Sequence, residues 1–381
     1  MHFPSKKNDI SVALNSFCED KLSNYSKERN FDYGQPHNNV STLSPYINRR
    51  IISENEVIKV ALKNHKIGKI EKFIQEVFWR TYWRGWLELH PWVYKQVNNE
   101  TSQVAIPIKT GIKCFDHWTE ELIETGYLHN HARMWYASIW IFTLNKPWVS
   151  GANFFKRNLL DWCPASNTLG WRWVAGIQTI GKPYIAKADN IKLFTKNRFH
   201  PINQLNEKPM PVKNEPSARE AIKFYLPRIL NLENHDNVGL VLTKNDLSLD
   251  KLFEAKKITF ERCIYIEEDK KSSRSAVVNS FEKRIMDETI SKTPRVKVFC
   301  NYNQLIDWAR NYKFNKVIFP YETIGNEILN KRELIEKLKK AQIAPIFFIR
   351  DWDRHAFPFA NKGFFHFKKK IPYLLKLNNL T

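Results

Sequence analysis

The chain has 381 residues, enough for two domains with real cores, and its 43% hydrophobic fraction is that of an ordinary globular protein. A net charge of +21 favours a polyanionic partner, nucleic acid before an anionic membrane, although a composition rich in both Lys and Asn gives the same balance without any binding role. The five cysteines (Cys18, Cys114, Cys163, Cys263, Cys300) are odd in number and widely spaced, which argues against a disulfide framework or a zinc spacing and for free thiols in a reducing compartment.

The N-terminal Met1-His2-Phe3-Pro4-Ser5-Lys6-Lys7 has no apolar core, so no secretion signal is expected. The longest apolar stretch, roughly Met134 to Leu144, is too short to span a bilayer. The expectation is a cytoplasmic monomer without membrane contact. Positive charge is spread evenly, about +10 on residues 1–200 and +11 on the remainder, so any binding face must be assembled by folding.

Residues 1–200 read as mostly helical and hold eleven of the thirteen Trp. Val40 to Ile47 clusters hydroxyls (Ser41, Thr42, Ser44) before a helical run, as a phosphate site or a plain N-cap would. Ile70 to Leu89 is a long run with few breakers, in which Glu76, Trp79, Arg80 and Trp83 recur at three- and four-residue steps. A carboxylate beside an indole suits a flat ligand with N–H donors; the plainer alternative is a Glu76–Arg80 surface pair beside a core Trp. Further helices are expected over Ile112 to Glu124, stopped by Gly126, and over His131 to Leu144. Leu128 to Met134 (LHNHARM) and Leu160 to Trp173 (LDWCPASNTLGWRW) place polar groups among apolar ones. Arg133 and Asp161 are of opposite sign on segments otherwise fit for burial, and buried charges are retained mostly when paired.

From His200 to about Asn237 five prolines cluster among polar residues, a linker, with capping-box spacing at Ser217-Ala218-Arg219-Glu220. Beyond it, short apolar runs recur at Val238–Leu242, Cys263–Ile266, Val296–Phe299, Val317–Phe319 and Ile346–Ile349, with amphipathic stretches at 275–290, 303–312 and 326–341. This alternation predicts a doubly wound parallel α/β sheet over 238–381, without a dinucleotide fingerprint or a phosphate loop. The fold expected is thus all-α followed by α/β.

Taken together, the helical segments resemble the photolyase/cryptochrome flavoproteins. The TSxLSPYL motif is matched by Val40 to Ile47, with Val at the first position. The WRE-type helix is matched by Trp79-Arg80-Thr81, with Thr for the acid. The HNRxRM segment is matched by His129 to Met134, with His131 for the first Arg. The D-x-D-x-x-x-N…GWxW segment is matched by Asp161, Cys163, Asn167 and Gly170 to Trp173, with Cys163 for the second Asp. The resemblance covers nearly all of residues 10–200, in family order. In that family the α/β domain precedes the helical one. Here an α/β pattern follows, and its end, from Phe348 through Phe357-Pro358 to Lys370, is similar to the end of the family's α/β domain, which suggests a circularly permuted order.

The resemblance implies FAD in the helical domain, with Tyr25, Ser41, Thr42, Leu43, Ser44, Phe73, Asn130, Arg133, Asp161, Cys163 and Asn167 as its contacts. Asn167 would face flavin N5, and Cys163 removes a carboxylate usually near the ring. It implies a UV-induced pyrimidine dimer in DNA as substrate, of the cyclobutane type, extruded from the stack. Trp79 and Trp173 would stack on it, Glu76 and Asn130 would bond the pyrimidine edges, and Met134 would pack the base. Arg29, Arg80 and His131 would face phosphates. Trp171 and Trp148 match two members of the family's electron relay; Trp92, Trp135 and Trp140 are candidates for the third. A second, antenna chromophore of unknown identity is implied for the α/β domain, and no metal. Two other readings stand beside light-driven repair: a blue-light receptor of cryptochrome type, and a flavin-free nucleic-acid-binding protein.

Overall fold

The computed structural model describes residues 3–94, 109–210, 212, 220–227, 237–258, 260, 262–266, 273–293, 296–299, 301–326 and 331–381. The helical half is built of α1 (Lys7–Ser16), α2 (Tyr25–Glu28), α3 (Ser44–Asn48), α4 (Glu54–Asn64), α5 (Glu71–Leu89), α6 (Lys113–Thr125), α7 (Asn130–Ser138), α8 (Trp148–Asn158), α9 (Pro164–Val174) and α10 (Ala188–Phe194). Local chemistry sets their ends. Ser53 caps α4 by accepting from the Glu56 N–H at 3.2 Å, Pro164 occupies the first turn of α9, and Gly126 ends α6 in the left-handed region at φ +72°. A Cβ at Gly126 would meet Leu160 Cγ at 2.6 Å, so glycine is required there for space as well as for φ.

Two cores result. One packs the indoles of Trp118, Trp135, Trp140 and Trp171 with Phe115, Tyr136 and Phe155. The other joins α1, α4 and α5 to the far end of the chain. α7 runs on into a π-turn over Ile139–Thr143, which is the remainder of the expected His131–Leu144 helix.

The second half carries β1 (Val238–Thr243), α11 (Leu249–Ala255), β2 (Cys263–Ile266), α12 (Ala276–Lys292), β3 (Val296–Phe299), α13 (Tyr302–Asn311), β4 (Lys316–Pro320), α14 (Lys331–Lys340) and β5 (Ala344–Phe348). All pairings are parallel, in the order β3-β2-β1-β4-β5, with Leu240 opposite Cys263 and Val238 opposite Lys316. This is the doubly wound arrangement, which switches direction between β1 and β4. The five apolar runs fall on the five strands. Within the expected linker, Glu220 to Pro227 is irregular chain; Ser217 to Arg219, on which the capping-box expectation rests, lie outside the described residues.

The end of the chain goes elsewhere than its sequence order suggests. α15 (Asp351–Ala356), α16 (Phe364–Lys368) and α17 (Ile371–Leu377) leave the sheet and lie against the helical half. Trp352 stacks on Phe78 of α5 at 4.6 Å and donates its Nε1–H to Thr81 Oγ1 at 2.8 Å. Gly85 lets this happen, because a Cβ there would meet Ala360 Cβ at 2.9 Å.

Candidate flavin site

The site is built around Asp161, buried between α8 and α9. One oxygen, Oδ2, accepts from Ser44 Oγ at 2.6 Å and from Arg133 NH2 at 2.9 Å. Arg133 is itself held by its Nε–H to Leu128 O at 2.9 Å and lies over the Tyr127 ring. Burial pushes the Asp161 carboxyl up, but the Arg133 guanidinium, the two hydrogen bonds and the more distant Arg80 outweigh it and hold the group below the usual carboxylate range. The acid is therefore ionised. Its second oxygen, Oδ1, is buried with no partner among the described residues. A buried carboxylate oxygen left open is costly unless something donates to it, so the site suits a ligand with an N–H or O–H group. Ser166 Oγ and Trp171 Nε1, on the same segment, are buried and open as well.

The hydroxyl cluster does not cap α3. Leu43 sits at the cap position without a side-chain bond, Thr42 is left-handed at φ +52° with its hydroxyl on Ser41 O at 2.8 Å, and Ser44 is spent on Asp161. Tyr25 packs edge-on against Phe73 of α5 at 5.3 Å, and both belong to the core that joins α1, α4 and α5 to the end of the chain. Cys163 is a buried free thiol, and its N–H donates to Asn167 Oδ1 at 2.8 Å. The Asn167 carbonyl, expected to accept from flavin N5, thus already takes one hydrogen bond from the N-cap residue of its own helix, and an amide oxygen has a second lone pair for another donor.

Of the expected relay, Trp171 is buried and meets Trp140 edge-on at 6.2 Å and Phe155 at 5.1 Å. Trp140 is fully buried and donates its Nε1–H to Pro147 O at 2.9 Å. Trp148 opens α8 under the guanidinium of Arg172. Trp135 packs against Trp118, and Trp92 lies against His90. Trp140, one of the three candidates for the third member, is thus a core residue next to Trp171.

The residues expected to face DNA divide. Asn130 is exposed, with its amide 4.0 Å from Met134 Sδ, and Trp173 is half-buried. Glu76 pairs with Arg29 at 3.0 Å and with Lys72 at 3.1 Å, not with Arg80. Three expectations need correction. Trp79 is stacked on Phe364 of α16 at 3.5 Å and 12°, so one face of the indole is covered. Arg80 turns inward to Asn48 Oδ1 and toward Glu54 Oε1 at 3.7 Å. His131 is buried with both ring nitrogens engaged, Nδ1 with Asn30 O at 2.8 Å and Nε2 with Tyr184 OH at 3.1 Å, which leaves neither for a phosphate.

Sequence reasoning missed a buried polar group beside the site. His37 Nε2 lies 2.6 Å from Glu121 Oε1, and Asp32 Oδ2 accepts from Trp118 Nε1 at 3.0 Å. His129 stacks near His37, and burial pushes its pKa down to about 3. No local spacing announces these partners, which are 84 and 86 residues apart. Tyr184, in the irregular segment after α9, was missed for the same reason.

At the switch point between β1 and β4, Asn245, Asp246, Tyr321 and Arg350 face Asn48, Arg50, Arg80 and Arg84 across a small cavity of about 20 Å³. That is room for about one water. It does not fit an antenna pigment, because the Arg350–Asp246 pair and the Arg50–Asp353 pair fill the space. Among the described residues no helix is long and apolar enough to cross a membrane.

Residues 73–208 match the family model for the FAD-binding domain of DNA photolyase. The deoxyribodipyrimidine photo-lyase of Vibrio cholerae is 26% identical over 46% of this chain and 40% of its own length. That of a Thermus thermophilus strain is 30% identical over 45% of this chain and 43% of its own. The cryptochrome of Synechocystis sp. PCC6803 superposes at 21% identity and a TM-score of 0.44, covering 51% of this chain and 44% of its own. The chain spans less than half the length of the curated relatives it matches. The Ser44–Asp161–Arg133 constellation thus lies on and beside the segment that is similar to the FAD-binding domain of DNA photolyase.

Proposed function

We propose that this protein binds FAD around Asp161 and repairs UV-induced pyrimidine dimers in DNA by light-driven electron transfer, with cyclobutane dimers as the favoured lesion. The observation that carries the reading is the ionised, half-satisfied Asp161: one oxygen is fixed by Ser44 and Arg133, and the other is buried and open. FAD, when bound, would supply the photoexcited electron donor. The chain's own residues would do the rest. Ser44 and Arg133 hold the carboxylate ionised and fixed, so Oδ1 can accept from the ligand without reorganising. Tyr25, Ser41, Thr42, Leu43 and Phe73 would line the remainder of the cofactor's bed, with Asn130 and Cys163 at its edge. Trp173, Asn130 and Met134 would receive the base, and Glu76 would orient it from its pair with Arg29. Lysines and Arg29 would meet phosphates, so binding should weaken steeply with salt. The order of helical domain (1–200), linker (201–237) and α/β domain (238–381) is proposed as a circular permutation of the family order. The experiment is to irradiate the reduced protein with dimer-containing oligonucleotides and follow dimer loss. No light-dependent loss would refute repair.

A second reading, a cryptochrome-like photoreceptor, is favoured by one observation: Phe364 covers Trp79 and Arg80 points inward, so part of the expected lesion surface is closed. Flavin photoreduction without dimer loss would select it.

A further inference from the structure

Tyr184 and His131 form a preassembled proton-transfer pair beside Trp173. The Tyr184 ring is stacked on the Trp173 indole at 5.5 Å and 26°, and its backbone N–H is tied to Val174 O at 3.0 Å. Its hydroxyl lies 3.1 Å from His131 Nε2, while His131 Nδ1 lies 2.8 Å from Asn30 O. A backbone carbonyl only accepts, so Nδ1 carries the hydrogen. Burial lowers the imidazole's pKa, so the ring is neutral and Nε2 has a lone pair. The phenol must therefore donate to His131. Burial pushes its own pKa up to about 12, so it keeps its proton until something oxidises it. The imidazole is clamped from its other side by stacking on Trp135 at 4.0 Å.

We propose that Tyr184 is a proton-coupled redox tyrosine that refills Trp173 after that indole has lost an electron. The proposal rests on the flavin reading only for the natural oxidant, a photoexcited flavin-class acceptor bound in the helical half. In the step itself one electron passes from Tyr184 to the Trp173 radical cation. The Tyr184 O–H bond breaks, an N–H bond forms at His131 Nε2, and the products are neutral Trp173, a neutral tyrosyl radical and an imidazolium. A phenol that loses an electron becomes a strong acid, so a positioned base makes the transfer possible in a site largely shielded from water. Trp135 and Trp118, stacked at 5.5 Å behind His131, hold the geometry. This pair lies off the Trp171–Trp140 contact and provides a separate donor.

The test uses the full-length protein in two arms, blue light on the flavin-loaded form and flash-quench oxidation by a photoexcited ruthenium tris-bipyridine with persulfate. Electron paramagnetic resonance and transient absorption read which radical forms. The expected result is a tyrosyl radical that appears as the tryptophanyl signal decays, is lost in Tyr184→Phe, and forms on the order of 10²-fold more slowly in His131→Phe, the effect of removing a positioned base. Thermal unfolding of both variants separates this from misfolding; if either fails to fold, deuterium slowing of the wild-type transfer decides alone. A tryptophanyl radical that persists in the wild-type protein, or an undiminished tyrosyl signal in folded Tyr184→Phe, would overturn the proposal. Failure to bind flavin would defeat the functional reading and leave the ruthenium arm decisive here.

Discussion

At the scale of single residues, the site depends on charges that only make sense in pairs. Asp161→Asn keeps the shape of the side chain and removes the charge that Arg133 needs. Breaking a buried pair from one side costs about 2–4 kcal/mol, the lower end applying because Arg133 keeps some contact with water. Denaturant unfolding should show that loss, and the purified variant should carry less flavin absorbance than the wild type. Unchanged stability together with full flavin content would mean that Asp161 is not the centre of the site. This pair was legible from the sequence, because two opposite charges on apolar segments are buried at tolerable cost only against each other. Arg80 was not. Its neighbour Glu76 at i−4 was the obvious partner, yet Glu76 goes to Arg29, 47 positions away, and Arg80 goes to Asn48. Helix-surface rules assume a free surface; they hold at the exposed start of α5, where Lys72 and Glu76 pair at i,i+4, and fail at Arg80, where Asn48 and Glu54 press on the helix.

At the scale of elements, close approaches decide what can pack. α8 and α9 meet at Gly151, where a Cβ would lie 2.2 Å from Trp171 Cη2 and 3.0 Å from Trp140 Nε1. Gly151→Ala gains helix propensity, about 1 kcal/mol, but forces two indoles apart in a dense core, which costs about 1–3 kcal/mol. The expected outcome is a net loss of stability with a shifted Trp fluorescence maximum, and slower photoreduction if Trp171 relays electrons. A more stable protein with unaltered fluorescence would show that the core gives way there easily. The strands, by contrast, were read closely from sequence. A parallel sheet covered on both faces needs short continuous apolar runs, and that pattern is local. The placement of α15 to α17 was not readable, because the Trp352–Phe78 stack joins residues far apart in the chain and an amphipathic helix does not name its partner.

At the scale of the whole molecule, the two halves are joined by one apolar core and a buried ionic layer. Asp353 accepts from Arg50 and from Arg84 at 3.2 Å, Arg84 also lies 3.5 Å from Glu54, and Arg49 reaches Glu282 at 2.6 Å. Phe78, Leu240, Phe281 and Trp352 belong to the same continuous cluster. The halves should therefore unfold together, so far-UV circular dichroism and Trp fluorescence should give coincident transitions. Asp353→Asn leaves two buried guanidiniums undercompensated and should cost about 3–5 kcal/mol. Acid acts on the same layer. Burial pushes Glu54 up, but Arg50, Arg84 and Arg80 outweigh it; Glu282 is likewise held down by Arg49 and Arg274 against its burial. Both are depressed in the folded state, so they bind protons less readily than in the unfolded chain. Their contribution is complete above the ordinary carboxylate value, about 4.3 for Glu, and is lost as pH falls below it. Stability measured from pH 7 downward should therefore begin to fall below about 6.5, where His129, His131 and His90, held neutral by burial in the folded protein, take up protons only on unfolding, and should fall further below about 4.3 as the two glutamates add their loss, with the two probes still coincident. A first transition seen only by fluorescence would show that the Trp-rich half separates from the sheet before it unfolds, and that the ionic layer does not couple them.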